Sequence, residues 1–278
     1  MATATLTHHS LDGALGPVLV DVRTTSRSAP QPAVVVMHGF KGFKDFAFLP
    51  PIAERLARAG FTAVNLSVSG SGVDAAGEFT LLDRFARNTY TRELGDIELV
   101  IRALVAGDLG VPPPTSIGVI GHSRGGGVVL CVARETPVLR AVVTWAPIST
   151  IRRYSDAEVE IWRRLGRIDV PNARTGQLLP MNYEIVEDAL AHAERFDIEK
   201  AAAGLERPWL LIHGTDDETV PAAESRELAR QATDPRFESH FIAGAGHTFG
   251  ARHPWAGPTG ETDQLFDITV RFLSRHLD

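Results

Sequence analysis

The pentapeptide at residues 121–125 has the residue types and spacing of a serine nucleophile held in a sharp turn. It reads Gly-His-Ser-Arg-Gly and places Ser123 at the centre of a G-x-S-x-G pattern. The apolar run at residues 117–120 predicts a strand before the turn, and residues 126–133 predict a helix after it. A strand–turn–helix of this kind lifts the serine hydroxyl above the end of a sheet, so we predict that Ser123 is a nucleophile. The alternative is a glycine-softened strand-to-helix turn without chemistry.

A serine hydroxyl is a weak nucleophile at neutral pH and needs a base within hydrogen-bond reach. His247 lies in a loop that contains Gly244 and Gly246 and follows a predicted strand at residues 237–242. These glycines allow the loop to fold back over the sheet and present the imidazole. We therefore predict His247 as the base, with His253, which is restricted by the proline after it, as the nearest alternative.

The base in turn needs an acid that fixes its tautomer and stabilises the imidazolium. Two adjacent candidates, Asp216 and Asp217, follow a predicted strand at residues 209–212, and only one of them can face the base. We predict Asp217 as the acid, while Asp216 could instead serve a turn or a helix N-terminus. The chain order serine, aspartate, histidine is that of α/β-hydrolases.

An acyl-transfer site also needs backbone N–H groups that hold the developing oxyanion. The residue after the nucleophile, Arg124, supplies one such N–H. The glycine-containing turn at residues 38–43 follows a predicted strand at residues 33–37, and we predict that Phe40 supplies the second N–H. In this interpretation His38 supports the loop and takes no part in catalysis; the alternative is a glycine-rich connection with no role.

Strands and helices alternate along the chain, which predicts a mainly parallel sheet covered by helices on both faces. The candidate residues all fall at carboxyl ends of strands, where such sheets bind ligands. Residues 147–208 interrupt the alternation, carry several aromatic residues and have helical patterns at residues 157–165 and 184–196, so we predict a cap over the site. Further strands are expected at residues 18–22, 62–68, 116–120 and 141–145, and helices at residues 50–60, 91–106, 222–231 and 264–277.

Composition limits the possible functions. With 278 residues, 44% hydrophobic and 22% charged, the chain fits one globular α/β domain. A net charge of −6 gives nucleic-acid binding no electrostatic support. No apolar run is long enough to span a bilayer and the N-terminus lacks a signal-peptide pattern, so we expect a cytoplasmic protein without membrane contact. The one cysteine, Cys131, lies on an apolar helix face and is expected to be buried and unreactive.

We predict no cofactor and no metal. Residues 70–75 fit G-x-G-x-x-A, but no clear helix begins there, and no acidic residue stands where a dinucleotide site requires one. The histidines and aspartates lack the spacing of metal ligands such as H-E-x-x-H.

Taken together, these residues resemble the α/β-hydrolase superfamily over nearly the whole chain. Within it, the chain is similar to the dienelactone-hydrolase-like and serine-aminopeptidase-like bacterial hydrolases. The resemblance implies an α/β-hydrolase fold, an acid three residues before the Val-Pro pair, which is Asp217, and an esterase or peptidase that acts through an acyl-enzyme. Authentic dienelactone hydrolases carry cysteine where this chain has Ser123, which favours general carboxylic esters. The segments that carry the resemblance are residues 38–45, 79–80, 84–85, 88–94, 213–221 and 246–249.

The sequence therefore predicts a cofactor-free serine hydrolase, a carboxylesterase for small or medium acyl esters. Two alternatives stay open at this point. A peptidase would use the same triad and would need a pocket for a free amino terminus. A catalytically silent homologue would use the pocket only to bind a small ligand.

Overall fold

The structure is a computed structural model that describes residues 3–277. Its strands and helices alternate along the chain, as the hydrophobic pattern predicts. The strands are β1 Thr5–Gly13, β2 Gly16–Thr24, β3 Ala33–Met37, β4 Thr62–Ser67, β5 Ile117–His122, β6 Leu139–Trp145, β7 Arg167–Pro171, β8 Leu178–Asn182, β9 Trp209–Gly214 and β10 Phe237–Ile242. The helices are α1 Leu49–Arg58, α2 Leu82–Ala86, α3 Tyr90–Ala106, α4 Arg124–Glu135, α5 Asp156–Leu165, α6 Glu184–Ala191, α7 Ile198–Ala203, α8 Ala222–Gln231 and α9 Gly260–Leu277.

The central sheet has eight strands in the order β1-β2-β4-β3-β5-β6-β9-β10. Strands β1 and β2 pair antiparallel, β2 pairs antiparallel with β4, and every other neighbouring pair is parallel. Because β3, β5, β9 and β10 are parallel, their carboxyl ends meet at one edge of the sheet, and the loops with the candidate residues start there.

Each face of the sheet has its own hydrophobic core. Helices α3 and α4 contribute to the core on one face, with Leu94 and Val129 fully buried. Helices α1 and α9 cover the other face, where Leu56 and Phe272 are fully buried. Inner strands that are buried on both faces are expected to be continuous apolar runs, and β3 is such a run. The fold is the predicted mostly parallel α/β-hydrolase sheet flanked by helices.

The segment between β6 and β9, residues 147–208, folds as a layer of its own with α5, the antiparallel hairpin β7–β8, α6 and α7. Trp162 holds it together: the indole is buried, donates a hydrogen bond from Nε1 to Met181 O at 3.0 Å and packs against Tyr154 and Tyr183. Helix α7 packs against α4 and α8, and β8 lies against α2. The segment is thus attached to the elements around the nucleophile turn.

Most predicted elements lie within two residues of their observed bounds, and one helix is a clear correction. The helix predicted over residues 184–196 ends at Ala191. The chain then turns, with Phe196 N donating to His192 O, and this turn brings the Phe196 ring within 5.7 Å of the Tyr90 ring. Strand β1, the β7–β8 hairpin, α2 and α7 were not expected from the sequence. No helix within residues 3–277 combines the length and apolarity needed to cross a membrane.

Candidate active site

Ser123 occupies a strained turn between β5 and α4. Its backbone has φ 57° and ψ −120°, a region that non-glycine residues rarely adopt. The turn is tight because glycines flank it. A Cβ on Gly121 would lie 2.3 Å from Gly125 O, and a Cβ on Gly125 would lie 2.3 Å from His38 O. The turn therefore has the nucleophile-elbow geometry that the sequence predicts.

The three side chains predicted for the triad lie together at the carboxyl edge of the sheet. His247 Nε2 is 2.9 Å from Ser123 Oγ, and His247 Nδ1 is 2.7 Å from Asp217 Oδ2. Asp217 is buried and His247 is partly buried, so the hydrogen bonds are shielded from water without being sealed off. The arrangement has the contacts that a hydroxyl needs to lose its proton to an imidazole held by a carboxylate.

The Asp217 carboxylate is fixed by two sets of partners. Its Oδ1 accepts hydrogen bonds from Thr219 N at 2.8 Å and Val220 N at 2.9 Å. Its Oδ2 faces His247 and also lies 3.1 Å from His213 Nε2. Burial alone would raise the pKa of Asp217, but the hydrogen bonds from His213 and His247 outweigh it and hold the pKa well below its usual range. The carboxylate is therefore charged at neutral pH.

His213 is a second histidine on the same carboxylate, and the sequence reasoning missed it. It is fully buried at the end of β9. Its Nε2 lies 2.9 Å from Val220 O and 3.1 Å from Asp217 Oδ2, so this nitrogen carries the proton, because both neighbours are acceptors. Its Nδ1 lies 2.5 Å from Ser225 Oγ and can accept from that hydroxyl. The signal available in the sequence was its position in β9, four residues before Asp217.

Two further buried histidines support the loops around the site. His122 Nε2 donates to His247 O at 3.0 Å, and the two imidazole rings lie 4.7 Å apart. His38 Nδ1 donates to Gly39 O at 2.8 Å, while its Nε2 accepts from Val68 N at 3.2 Å. Burial lowers the pKa of His122 to about 3 and that of His38 to about 4, so both are neutral and act as fixed hydrogen-bonding braces.

The predicted oxyanion donors lie on two loops that approach each other closely. The residue before Phe40 is Gly39, where an added Cβ would lie 2.9 Å from Ser123 Cβ. The Phe40 ring packs against the Arg124 guanidinium, whose Cζ is 4.0 Å from the ring centroid, and Lys41 Nζ lies 5.1 Å from the same centroid. Lys41 itself has φ 59°, and its Nζ donates to Pro171 O at 2.6 Å. The backbone of the Phe40 loop is thus held beside the nucleophile turn.

The alternatives for the acid and the base have other partners. Asp216 is exposed and accepts a hydrogen bond from the Thr215 hydroxyl at 2.7 Å. His253 accepts from Ala47 N through Nδ1 at 3.2 Å and stacks on the Phe46 ring. Cys131 is buried, and burial raises the pKa of its thiol to about 12, so it is unreactive.

A cavity of about 320 Å³ lies beside the nucleophile turn, between α3, the start of α4 and the segment of residues 147–208. Arg124 lines it, but Ser123, Asp217 and His247 do not, so it adjoins the triad without including it. Most of its wall is apolar or aromatic, and its size is that of a small-molecule site. The buried residues of its lining are Tyr90, Arg124, Ser149, Trp162, Met181, Ile185, Phe196 and Ile198.

Arg124 is the charged side chain at the inner end of this cavity. Its Nη1 lies 3.3 Å from Glu93 Oε1, and that oxygen also accepts from Asn88 Nδ2 at 2.6 Å. Burial raises the pKa of Glu93 even though Arg124 and Asn88 oppose the shift. Burial would lower the pKa of Arg124, but Tyr90 and Glu93 raise it further. The Arg124 guanidinium is therefore charged at neutral pH. The sequence reasoning considered only its backbone N–H.

Comparison with known proteins assigns the family. The sequence profile of the prolyl oligopeptidase family matches residues 51–278, which is most of the chain and includes all three triad positions. This protein belongs to the prolyl oligopeptidase family. Within residues 3–277 of this family member, no cluster of three or more histidine, cysteine, aspartate or glutamate side chains could hold a metal ion.

Proteins similar to this prolyl oligopeptidase family member include a lipase in sequence and two hydrolase-fold proteins in structure. It is 25% identical over 251 residues to a monoacylglycerol lipase of Mycolicibacterium smegmatis, which covers 82% of this chain and 85% of the lipase. The structure of Est1E from Butyrivibrio proteoclasticus with bound ferulic acid has a TM-score of 0.70 and 19% identity, covering 96% of this chain and 98% of Est1E. A dienelactone hydrolase from Anabaena variabilis has a TM-score of 0.66 and 16% identity, covering 99% of this chain and all of the hydrolase.

These similarities confirm the predicted superfamily. The family match and the structural neighbours place the chain among α/β-hydrolases, and the relatives support a serine hydrolase activity. At identities below 25% the two structures show a common fold only.

Proposed function

We propose that this protein is a serine hydrolase of carboxylic esters with small or medium acyl groups, and that it acts through an acyl-enzyme. The observation that carries the proposal is the chain of hydrogen bonds from Ser123 Oγ to His247 at 2.9 Å and from His247 to Asp217 at 2.7 Å. Each group stands where the chemistry needs it: a hydroxyl at a strained turn, an imidazole next to it and a charged carboxylate behind the imidazole.

In the proposed reaction, Ser123 Oγ attacks the ester carbonyl carbon while its proton passes to His247 Nε2. The N–H groups of Phe40 and Arg124 hold the oxyanion of the tetrahedral intermediate. The bond to the leaving alcohol then breaks, and His247 returns the proton to the alcohol oxygen. Water attacks the acyl-enzyme with His247 again as base, which releases the carboxylic acid and restores Ser123. Asp217 keeps the proton on His247 Nδ1 throughout, so that Nε2 is free to accept.

Ester substrates are favoured over peptides with a free amino terminus by the charge next to the nucleophile. The buried charged residue of the adjoining cavity is the cation Arg124, which repels an ammonium group, and its neighbour Glu93 is already bonded to Arg124 and Asn88. A relative named as a monoacylglycerol lipase supports the same choice. We further propose that residues 147–208 act as a cap, because this segment supplies most of the cavity wall.

The test compares Ser123→Ala with a matched control, Ser28→Ala, which removes an exposed loop hydroxyl. With p-nitrophenyl acetate and butyrate, Ser123→Ala should lower kcat by about 10⁶-fold, and Ser28→Ala should leave it unchanged. A fluorophosphonate probe should label the wild type and Ser28→Ala but not Ser123→Ala, while circular dichroism shows all three folded. Activity of Ser123→Ala near that of the wild type refutes the assignment.

The prolyl oligopeptidase match keeps a peptidase as the second candidate, because the same triad can cleave amides. Aminoacyl-arylamides with a free amino group separate the two. Preference for these amides over p-nitrophenyl esters, measured as kcat/KM, would replace the ester proposal with the peptidase. The fluorophosphonate probe distinguishes an active hydrolase from a catalytically silent ligand-binding homologue, because the silent protein would stay unlabelled.

A further inference from the structure

The inner part of the cavity holds three polar side chains, those of Arg124, Tyr90 and Tyr154, that keep unused hydrogen-bonding capacity. Arg124 is 8% exposed, and among residues 3–277 its guanidinium has one hydrogen-bond acceptor, Glu93 Oε1. The Tyr90 side chain is buried, its hydroxyl forms no hydrogen bond among the same residues, and its oxygen is not enclosed by protein atoms but is open to the cavity that Tyr90 lines. The hydroxyl of Tyr154 reaches only Met181 Sδ at 4.0 Å, and a thioether is a weak acceptor. Because these groups face the cavity and polar groups of native proteins are normally paired, a polar group that enters the cavity can take up their remaining hydrogen bonds.

The geometry of the guanidinium limits what can bind there. One face of Arg124 lies on the Phe40 ring, 4.0 Å from Cζ, and the Tyr90 ring lies 5.1 Å from Cζ. A guanidinium donates only in its own plane, as a rigid fork. One in-plane direction is used by Glu93, so the remaining N–H groups can serve a planar acceptor that enters from the cavity. A carboxylate matches such a fork with two parallel hydrogen bonds.

The position of the cavity indicates which part of a substrate enters it. His247 must protonate the leaving alcohol, so the alcohol points toward the loop that carries His247. No residue of that loop lines the cavity, whereas Arg124, next to the nucleophile, does. A chain that extends from the acyl carbon on the side away from His247 therefore runs toward Arg124.

We propose that this cavity is the acyl pocket, and that Arg124, Tyr90 and Tyr154 bind a carboxylate at the far end of the acyl chain. The preferred substrates are then monoesters of short dicarboxylic acids. This inference rests on the proposed ester hydrolysis and names the substrate class of the same site.

The surrounding charges agree with an anionic group. The acidic residues of the cavity lining, Asp156, Asp197 and Glu199, are exposed and lie at its mouth. Asp197 is also occupied, because it accepts a hydrogen bond from Lys200 N at 2.9 Å as the N-cap of α7. A second cation is close by: Lys41 Nζ is 5.1 Å and Arg124 Cζ is 4.0 Å from the same Phe40 ring centroid. The inner end of the cavity therefore favours an anion.

The first experiment compares esters that differ only in the terminal carboxylate. Mono-p-nitrophenyl succinate, glutarate and adipate are matched with p-nitrophenyl butyrate, pentanoate and hexanoate. For at least one chain length, the wild type should show kcat/KM about 10- to 100-fold higher for the acid, the gain of a charge-assisted hydrogen bond. Equal or lower kcat/KM for every acid overturns the proposal.

Variants then test which residues bind the carboxylate of the acyl chain. Tyr154→Phe removes one hydroxyl and should reduce the acid preference several-fold, while Tyr183→Phe changes a cap tyrosine outside the cavity lining and should leave it unchanged. Arg124→Gln keeps the backbone N–H and should abolish the preference. Because Arg124→Gln leaves Glu93 buried without its partner, the double variant Arg124→Gln/Glu93→Gln repeats the measurement with no unpaired charge. A preference that survives both arginine variants overturns the assignment.

A binding measurement separates this inference from the proposed reaction. Ser123→Ala should bind monomethyl adipate about 10-fold or more tightly than methyl hexanoate in calorimetry, and the difference should vanish when Arg124→Gln is added. If the wild type cleaves no ester but this difference is found, the carboxylate site stands and the reaction fails. If esters are cleaved without acid preference and the two ligands bind equally, the reaction stands and the carboxylate site fails.

Discussion

Replacing Asp217 with asparagine tests the proposed triad with a minimal change of shape. In the native protein, Oδ1 accepts from two backbone N–H groups, those of Thr219 and Val220, and Oδ2 faces His247 and His213. An asparagine amide must place its oxygen toward the two backbone donors, because the opposite orientation would set its NH₂ group against them. The NH₂ group then faces both histidines.

This forced orientation inverts the proton arrangement on the base. The amide NH₂ donates to His247 Nδ1, so the imidazole proton moves to Nε2, and Nε2 can no longer accept the proton of Ser123. The same substitution in a well-studied serine protease, where the tautomer is also wrong, lowers kcat by about 10⁴-fold. Here we expect a loss of the same size, which corresponds to about 5 kcal/mol in the activation barrier. The His213 Nε2–H would also face the NH₂ group, which adds about 1–3 kcal/mol of destabilisation of the fold.

The assay is hydrolysis of p-nitrophenyl butyrate by Asp217→Asn, with Asp216→Asn as the matched control. Asp216 is the exposed neighbour and the alternative acid, so its variant should keep wild-type kcat. Urea unfolding of both variants separates lost chemistry from lost fold. The reasoning is refuted if Asp217→Asn retains more than about a tenth of wild-type kcat while folded, or if Asp216→Asn is the variant that loses activity.

Two further predictions follow from close packing and from buried histidines. Gly39→Ala should lower kcat by about 10²–10³-fold, the effect of losing one oxyanion donor, because the new Cβ would lie 2.9 Å from Ser123 Cβ and 3.1 Å from His122 O. The control is Gly95→Ala, whose Cβ meets open space and which should keep wild-type kcat. Equal kcat values for the two variants contradict the prediction. His38 and His122 have pKa values lowered to about 4 and about 3, against about 6.5 when unfolded, so the unfolded chain binds more protons below pH 6.5. The free energy of unfolding should therefore be highest above pH 6.5 and should fall as the pH drops from there toward 4, by up to about 1.4 kcal/mol per pH unit for each histidine. A free energy of unfolding in urea that stays constant between pH 7 and pH 5 would contradict this prediction.

The residues of the candidate triad could be predicted from sequence because each depends on a local signal. Ser123 sits in a turn that only small flanking residues permit, and the distances at Gly121 and Gly125 show why. His247 and Asp217 each follow a strand of the parallel sheet, and the shared carboxyl edge of those strands brings them together. No long-range information beyond the order of strands and helices was needed to place them.

What the sequence did not indicate depends on contacts between distant segments. Strand β1 pairs only with β2 at the edge of the sheet, and its residues alternate between exposed and half-buried with none buried, so its strand signal is weak. The contact between His213 and Asp217 depends on the turn at residues 215–216 between them, which a strand pattern alone does not show. The aromatic content of residues 147–208 predicted a cap, but it gave no sign that the cavity below would also be lined by Arg124 and Tyr154.

Arg124 links catalysis and specificity in this protein. Its backbone N–H is the proposed oxyanion donor, and its side chain is the proposed partner of a substrate carboxylate. One residue would then hold both ends of the acyl group, and its side chain is fixed by Phe40, Tyr90 and Glu93. The distance between the reacting carbon and the carboxylate would thus be set by a single rigid side chain. Because misplacement of the reacting carbon is costly, the preferred dicarboxylic chain length should be narrow, with a single optimum among succinyl, glutaryl and adipyl esters.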